Sequence, residues 1–360
     1  MMVENEGILR ARQFAEKTGL QVPILMAPMA GACPASLAIA VANAGGMGAA
    51  GVLMSSPEAI AAWVKEMRQG SNGAFQLNTW IPDPEPERNL EKEAAVRAFL
   101  SDWGPAVSAE AASAAMPDFD EQCEAMLAAA PYAISSIMGL YPAAFVERMH
   151  ARNIKWFATV TTVTEARLAE AAGADVIVAQ GMEAGGHRGA FEAANAGKAL
   201  VGLFALLPAV VDAVEAPVVA TGGIADARGI AAALMLGASA VQIGTGLLRS
   251  PEANISPAWA KAIGSVLPEE TAATRAFSGR LARSIKTRYV LASEAPDAPD
   301  PAPYPIQRNL TQAMRGQATT DDDLDRMQAW AGQSASLAEA RPAGEIVAEL
   351  WDGARALLNA

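Results

Sequence analysis

The feature that most restricts how this chain can fold is a pattern repeated eight times between residues 24 and 243. A short apolar run ends in Gly, Pro or a polar residue, and most are followed by an Ala-rich stretch of helical spacing. The runs fall at 24–27, 47–51, 75–78, 132–135, 155–159, 175–179, 218–221 and 240–243. Strands that alternate with helices predict a parallel sheet, because parallel neighbours need a crossover long enough to carry a helix. Eight such units favour closure. The expected fold class is therefore α/β, a (β/α)8 barrel.

The helices between the runs have readable ends. One at 34–43 precedes a Gly45-Gly46 stop, one at 56–68 has Pro57 in its first turn, and one at 164–172 stops at Gly173. The interval 81–131 is longer than one crossover needs and opens Pro82-Asp83-Pro84-Glu85-Pro86, which predicts a surface excursion without a catalytic role. After Ser250 the alternation stops and helical segments are expected, broken by a stretch at 295–305 rich in proline and acids that returns to the barrel. Residues 343–358 have the spacing of an amphipathic helix packed on it. The expected division is a barrel over 1–250, a helical cap over 251–324 and C-terminal helices over 325–360.

Composition narrows the function classes. With 360 residues, 52% of them hydrophobic, the chain can bury a full core without disulfides or metal. A net charge of −12, with Lys and Arg scattered, argues against nucleic acid as a partner. The opening MMVENEGILRARQFAEKTGL lacks the apolar stretch of a signal peptide, and no later run reaches spanning length, so a soluble cytoplasmic protein is expected, with no membrane partner. Cys33 and Cys123 form no ligand-spaced pair, so neither a metal site nor a disulfide framework is expected.

Barrels of this kind carry chemistry on the loops that follow the strands. After the seventh run stands Thr221-Gly222-Gly223-Ile224-Ala225-Asp226, and after the eighth Gln242-Ile243-Gly244-Thr245-Gly246. Paired glycine loops let backbone N–H groups approach a phosphate closely, and Thr245 adds a hydroxyl. Either loop alone reads equally well as a tight turn; two on consecutive final strands favour the cup. After the sixth run stands Gln180-Gly181-Met182-Glu183-Ala184-Gly185-Gly186-His187-Arg188-Gly189, which holds one of only two histidines. His150 lies in a helix-like stretch and reads as structural. His187, flanked by glycine at the functional end, suits proton transfer or anion binding. Glu183 and Arg188 would tune its pKa or fix the loop. The turn Ala27-Pro28-Met29 would let a flat ring lie against backbone, and the amide of Asn78 is a candidate cofactor contact; both also read as simple turn chemistry.

Together with Ala42 to Gly48, Ser278-Gly279-Arg280, Tyr304-Pro305 and Trp330 to Gln333, these segments resemble the nitronate monooxygenase family, formerly 2-nitropropane dioxygenases, over nearly the whole chain. The resemblance implies FMN held without a covalent link. By position, Gly222, Gly223, Gln242, Ile243, Gly244 and Thr245 would hold its phosphate, while Ala27, Pro28, Met29, Asn78, Gln180, Gly185 and Gly186 would meet the rest. His187 falls on the family's catalytic histidine. The implied reaction is oxidation of an alkyl nitronate such as propionate 3-nitronate by dioxygen to a carbonyl compound and nitrite, and neutral nitroalkanes are the second substrate class. Arg308 and Gln312 stand where some members carry tyrosine and lysine, so Arg308 is a candidate partner for a substrate carboxylate and Trp259 a candidate for one tyrosine's place. The nearest alternative is an FMN-dependent NAD(P)H reductase of enoyl-acyl carrier protein or quinone. A flavin-free phosphate-binding barrel, with Cys33 as nucleophile, and a non-catalytic flavin carrier are further alternatives. Oligomeric state is not legible.

Overall fold

The computed structural model describes residues 5–359; Met1 to Glu4 of the opening stretch, and Ala360, lie outside the described residues. Eight parallel strands form the main sheet: β1 (Ile24–Met26), β2 (Gly48–Gly51), β3 (Phe75–Trp80), β4 (Ala133–Ile137), β5 (Lys155–Val160), β6 (Val176–Gln180), and, beyond a two-residue strand β7 (Gly186–His187), β8 (Val218–Thr221) and β9 (Ala240–Ile243). Their order is β1-β9-β8-β6-β5-β4-β3-β2, and a parallel bridge from Leu25 to Met47 joins the two ends. This is the expected barrel, and each expected run coincides with one of its strands to within a residue or two.

Alternation along the strands sorts the side chains into two shells. Ile24, Leu77, Trp156, Ile177, Ala220 and Val241 face outward into the layer between sheet and helices. Leu25, Met47, Ala133, Phe157, Val178, Val219 and Ala240 fill the interior, where Phe14 and Leu20, from and just after the helix Glu6–Thr18, pack against them. Phe157 is fully buried, so truncating it to alanine would cost about 3–5 kcal/mol. One layer higher the inward positions change character. Thr159, Gln180, Thr221 and Gln242, near the C-terminal ends of their strands, are buried polar residues, as are Asn78 and Ser135 midway along theirs and Gln76 near the start of β3. The barrel is thus apolar below and amide-rich at its mouth.

The crossover helices are capped as their sequences dictate. Ser56 accepts from the Ala59 N–H with Pro57 in the first turn, Thr162 accepts from Glu165, and Asp226 accepts from Gly229. The C-terminal helix Ala343–Leu358 packs on the helices Ala35–Asn43 and Ala227–Met235, which flank the seam between the first and last strands. Among the described residues, no helix is long and apolar enough to cross a membrane.

Residues 251–324, expected to be helical, also contain strands. Strands β10 (Thr271–Thr274) and β11 (Ala282–Ile285) pair antiparallel, and β11 continues onto β7 with Ala282 opposite His187 and Arg283 opposite Gly186. Both strands are four residues long and lack a sustained apolar alternation, so their pairing comes from the partner β7 rather than from local pattern. The excursion at 81–131 also joins the cap: Val96, Leu100 and Ala112 share one buried cluster with Phe277, Tyr289, Ile306, Leu310 and Met314.

Candidate active site

The glycine loops after β8 and β9 come together above the barrel mouth. Gly222 and Gly223 have φ of 104° and 70°, the left-handed region that any other residue would enter only at a cost. The turn they make leaves the N–H groups of Gly222, Gly223 and Gly244 without a protein acceptor among the described residues. Gly185 closes the third side; a Cβ there would lie 2.5 Å from the Gly332 nitrogen and 2.9 Å from Thr245 Oγ1. Thr245 Oγ1 accepts from the Gly332 N–H at 3.1 Å, which leaves its own proton to give. The donors are the kind that bind an anionic group.

Beside this cup lies the polar layer. Gln76 Nε2 donates to Gln242 Oε1 at 3.1 Å and to the Met26 carbonyl at 3.3 Å, while its own Oε1 is buried with no donor. Asn78 Nδ2 donates to Ser135 Oγ at 3.0 Å. Ala27 donates its N–H to Ile243 O at 2.8 Å, which ties the Ala27-Pro28-Met29 turn to the end of β9. An orphaned acceptor beneath an amide ring fits a planar heterocycle that offers N–H groups as well as acceptors.

The loop that carries His187 is clamped from both ends. Gln180 Nε2 donates to the His187 carbonyl at 3.0 Å, and Gln180 Oε1 accepts from the Gly189 N–H at 2.8 Å. Arg188, buried, donates to the carbonyls of Gln180, Thr161 and Ala199. Glu183 accepts from the Leu203 N–H at the head of the helix Leu203–Val211. Arg188 and Glu183 therefore fix the loop. The His187 imidazole is wedged between two indoles, Trp80 at 4.5 Å and Trp330 at 5.1 Å between ring centroids, both edge-on. Its Nε2 lies 2.8 Å from Ser278 Oγ. Burial, then the positive charges of Arg280, Arg315 and Arg308, push the imidazole down to about 3.

Those arginines are differently committed. Arg280, fully buried, pairs with Asp83 through Nε to Oδ2 at 2.7 Å and a second contact from Nη2 to Oδ1, and also donates to Ala190 O. Arg315 donates to Thr311, Gln328 and the Arg308 carbonyl, and burial, with the like charge of Arg308, pulls it down to about 10. Arg308 reaches only Asn309 Oδ1 at 3.4 Å and Met116 Sδ at 4.0 Å. Among the described residues neither Arg308 nor Arg315 has an acidic partner, so the cleft above His187 carries uncompensated positive charge.

A model of the nitronate monooxygenase family matches residues 12–353. The chain belongs to the nitronate monooxygenase family. The nitronate monooxygenase of Pseudomonas aeruginosa is 36% identical over 348 residues, which span 95% of this chain and 99% of that one. Among solved structures, the nitroalkane oxidase of Streptomyces ansochromogenes superposes with a TM-score of 0.86 at 33% identity, over 95% of this chain and 99% of that chain. FabK from Thermotoga maritima follows at a TM-score of 0.74 and 27% identity over 96% of each.

Within this member of the family the structure brings His187, Gly185, Gly186, Gly222, Gly223, Asn78, Gln180 and the Gln242 to Thr245 segment to one mouth. Arg308 lies on the cap side of that space. Trp259 meets it only indirectly: its indole donates to the Trp330 carbonyl at 3.2 Å and packs against Ala329 and Ala331. Gln312 is exposed, and the cation on that helix is the partly buried Arg315. Motif and spacing assign no role to Trp80, Asp83 or Arg315. A signal for Trp80 does exist, since Gln76, Asn78 and Trp80 alternate on one strand face.

Proposed function

We propose that this nitronate monooxygenase family member oxidises alkyl nitronates, propionate 3-nitronate among them, with FMN and dioxygen, yielding a carbonyl compound and nitrite. The observation that carries the reading is a neutral imidazole between two indoles, beneath arginines that lack acidic partners and beside a glycine cup with free N–H donors. FMN held there would supply the chemistry of a two-electron oxidation, with dioxygen as the final acceptor. Gly222, Gly223, Gly244 and Thr245 hold its phosphate, with Gln242 and Ile243 behind them. Ala27, Pro28, Met29, Asn78, Gln180, Gly185 and Gly186 would hold the rest of it.

The chain's own groups then sort the substrates. The arginine field draws in anions, and Arg308 pairs with a carboxylate at the far end of the nitronate. Trp259 supports Trp330, which walls the cleft. His187 stays neutral across the physiological range, and a neutral nitroalkane must give it a proton while a preformed nitronate need not. The positive field that weakens His187 as a base also stabilises the nitronate anion produced by proton transfer, so both classes turn over, nitronates faster. In this reading residues 1–250 supply the cofactor site, while 251–324, joined by the 81–131 excursion, cover it. Residues 325–360 supply Trp330 and brace the seam. The enzyme works in the cytoplasm on small molecules, without nucleic acid or membrane.

Anaerobic mixing of the flavin-loaded protein with propionate 3-nitronate, and separately with NADH and NADPH, tests the reading through flavin absorbance. Bleaching by the nitronate alone is expected. Bleaching by a nicotinamide alone would transfer the chain to the reductases on the same barrel.

A further inference from the structure

We propose that Ser278 is a positioning residue that holds His187 as its Nε2–H tautomer and thereby makes Nδ1 the atom that takes a proton from substrate. The inference deepens the nitronate reading and rests on it for its kinetic consequence only.

The donors and acceptors around one hydroxyl select the tautomer. Ser278 is buried, and its Oγ has three neighbours: His187 Nε2 at 2.8 Å, the Arg280 carbonyl at 3.2 Å and the Arg280 N–H at 3.3 Å. A serine hydroxyl has one proton to give and two lone pairs to fill. The Arg280 N–H can only donate, so it takes one lone pair. The Arg280 carbonyl can only accept, belongs to a fully buried residue and has no other donor among the described residues. Buried carbonyls are rarely left unpaired, so the hydroxyl proton goes there. One lone pair remains, and it is filled only if His187 Nε2 carries a proton. The opposite tautomer would have the hydroxyl donate to Nε2 and would orphan the carbonyl.

Nδ1 is then the bare nitrogen. Among the described residues it has no hydrogen-bond partner, and His187 is only partly buried, which leaves Nδ1 as the ring nitrogen free to meet a substrate. Ring orientation is held by Trp80 and Trp330, and the backbone by the pairing of His187 with Ala282. With a neutral nitroalkane the α C–H bond breaks, the proton joins Nδ1, and the electron pair moves into the nitro group to form the nitronate. The Nε2–H bond to Ser278 strengthens as the ring becomes cationic.

The test uses flavin-loaded holoenzyme labelled with 15N-histidine. The chain has two histidines, so the spectrum holds two imidazoles, and a His150→Gln sample identifies His187. In the unaltered protein the expected pattern is a protonated Nε2 beside a bare Nδ1. In Ser278→Ala the two shifts should move toward each other as the tautomers mix, and Ser278→Thr should keep the original pattern. Turnover of nitroethane should fall about tenfold in Ser278→Ala, with kcat/KM for ethyl nitronate held within about twofold, and Ser278→Thr should restore nitroethane turnover. A protonated Nδ1 in the unaltered protein would overturn the proposal, as would unchanged shifts in the alanine variant. If Ser278→Ala does not fold, the unaltered protein's spectrum decides alone. If no nitronate bleaches the flavin, the functional reading fails while the tautomer result stands.

Discussion

The two histidines stand in opposite electrostatic settings, one near each end of the barrel. His150 ends the helix Ala143–His150 near the start of β5, half-exposed, with Nε2 3.0 Å from Asp175 Oδ2; Lys155 holds the other oxygen of that carboxylate at 2.9 Å. Burial opposes ionisation of Asp175, but the Trp156 N–H, Lys155 and His150 outweigh it and hold the carboxyl below its usual range. His187, at the mouth, sits between two indoles and a hydroxyl, and the charges that act on it are the cations Arg280, Arg315 and Arg308. The same side chain thus stands beside a carboxylate at the surface in one place and among cations, held neutral, in the other. What distinguishes them is the sign of the neighbouring charge and access to water, not the residue type.

The strongest way to break this contrast is to remove the mouth histidine. His187→Asn should retain flavin and lower kcat/KM for neutral nitroalkanes by roughly 10²–10⁴-fold, with a far smaller loss on preformed nitronates; equal losses on both classes would end the proton-acceptor role. The same substitution sharpens the pH argument. An unfolded chain takes up this proton near 6.5 and the folded one near 3, so below 6.5 the unfolded state binds more protons and stability falls on acidification. His187→Asn should flatten that part of a urea-unfolding series between pH 6.5 and 4.

Next in size is the pair that ties the excursion to the cap. Asp83→Ala leaves the fully buried Arg280 without its carboxylate and should cost about 3–5 kcal/mol in chemical denaturation, with weaker flavin retention. An unchanged midpoint would show that the excursion merely covers the cap. Arg308→Met should raise KM for propionate 3-nitronate about ten- to a hundredfold while changing ethyl nitronate little. An equal effect on both substrates would move Arg308 from recognition to general field. Smallest is His150→Ala, expected to cost about 1 kcal/mol or less in unfolding experiments and to leave turnover unchanged.

Much of the mouth is legible in the sequence. Short apolar runs locate the eight strands, and the loops after the sixth, seventh and eighth expected strands name His187, Gly222, Gly223 and the Gln242 to Thr245 segment, because strand ends and glycine turns are local properties of sequence. The cap is less legible. Strands β10 and β11 are too short to announce themselves, and they exist because β7 offers an edge far away in sequence. Asp83 reads as part of a proline-rich surface turn, yet its carboxylate is the counterion of Arg280, 197 positions later.

Sequence by itself therefore determined the barrel, through spacing along the chain, and, through the resemblance of its motifs, the family and the identity of the candidate proton acceptor. Only the tertiary structure decided that Trp80 and Trp330 clamp that residue and that Ser278 meets its Nε2. It also decided that arginines at 280, 308 and 315 converge above it. Such convergence depends on distances through space in a low-dielectric cleft, where a charge a few ångströms away shifts a proton equilibrium and one on the far side of the barrel does not.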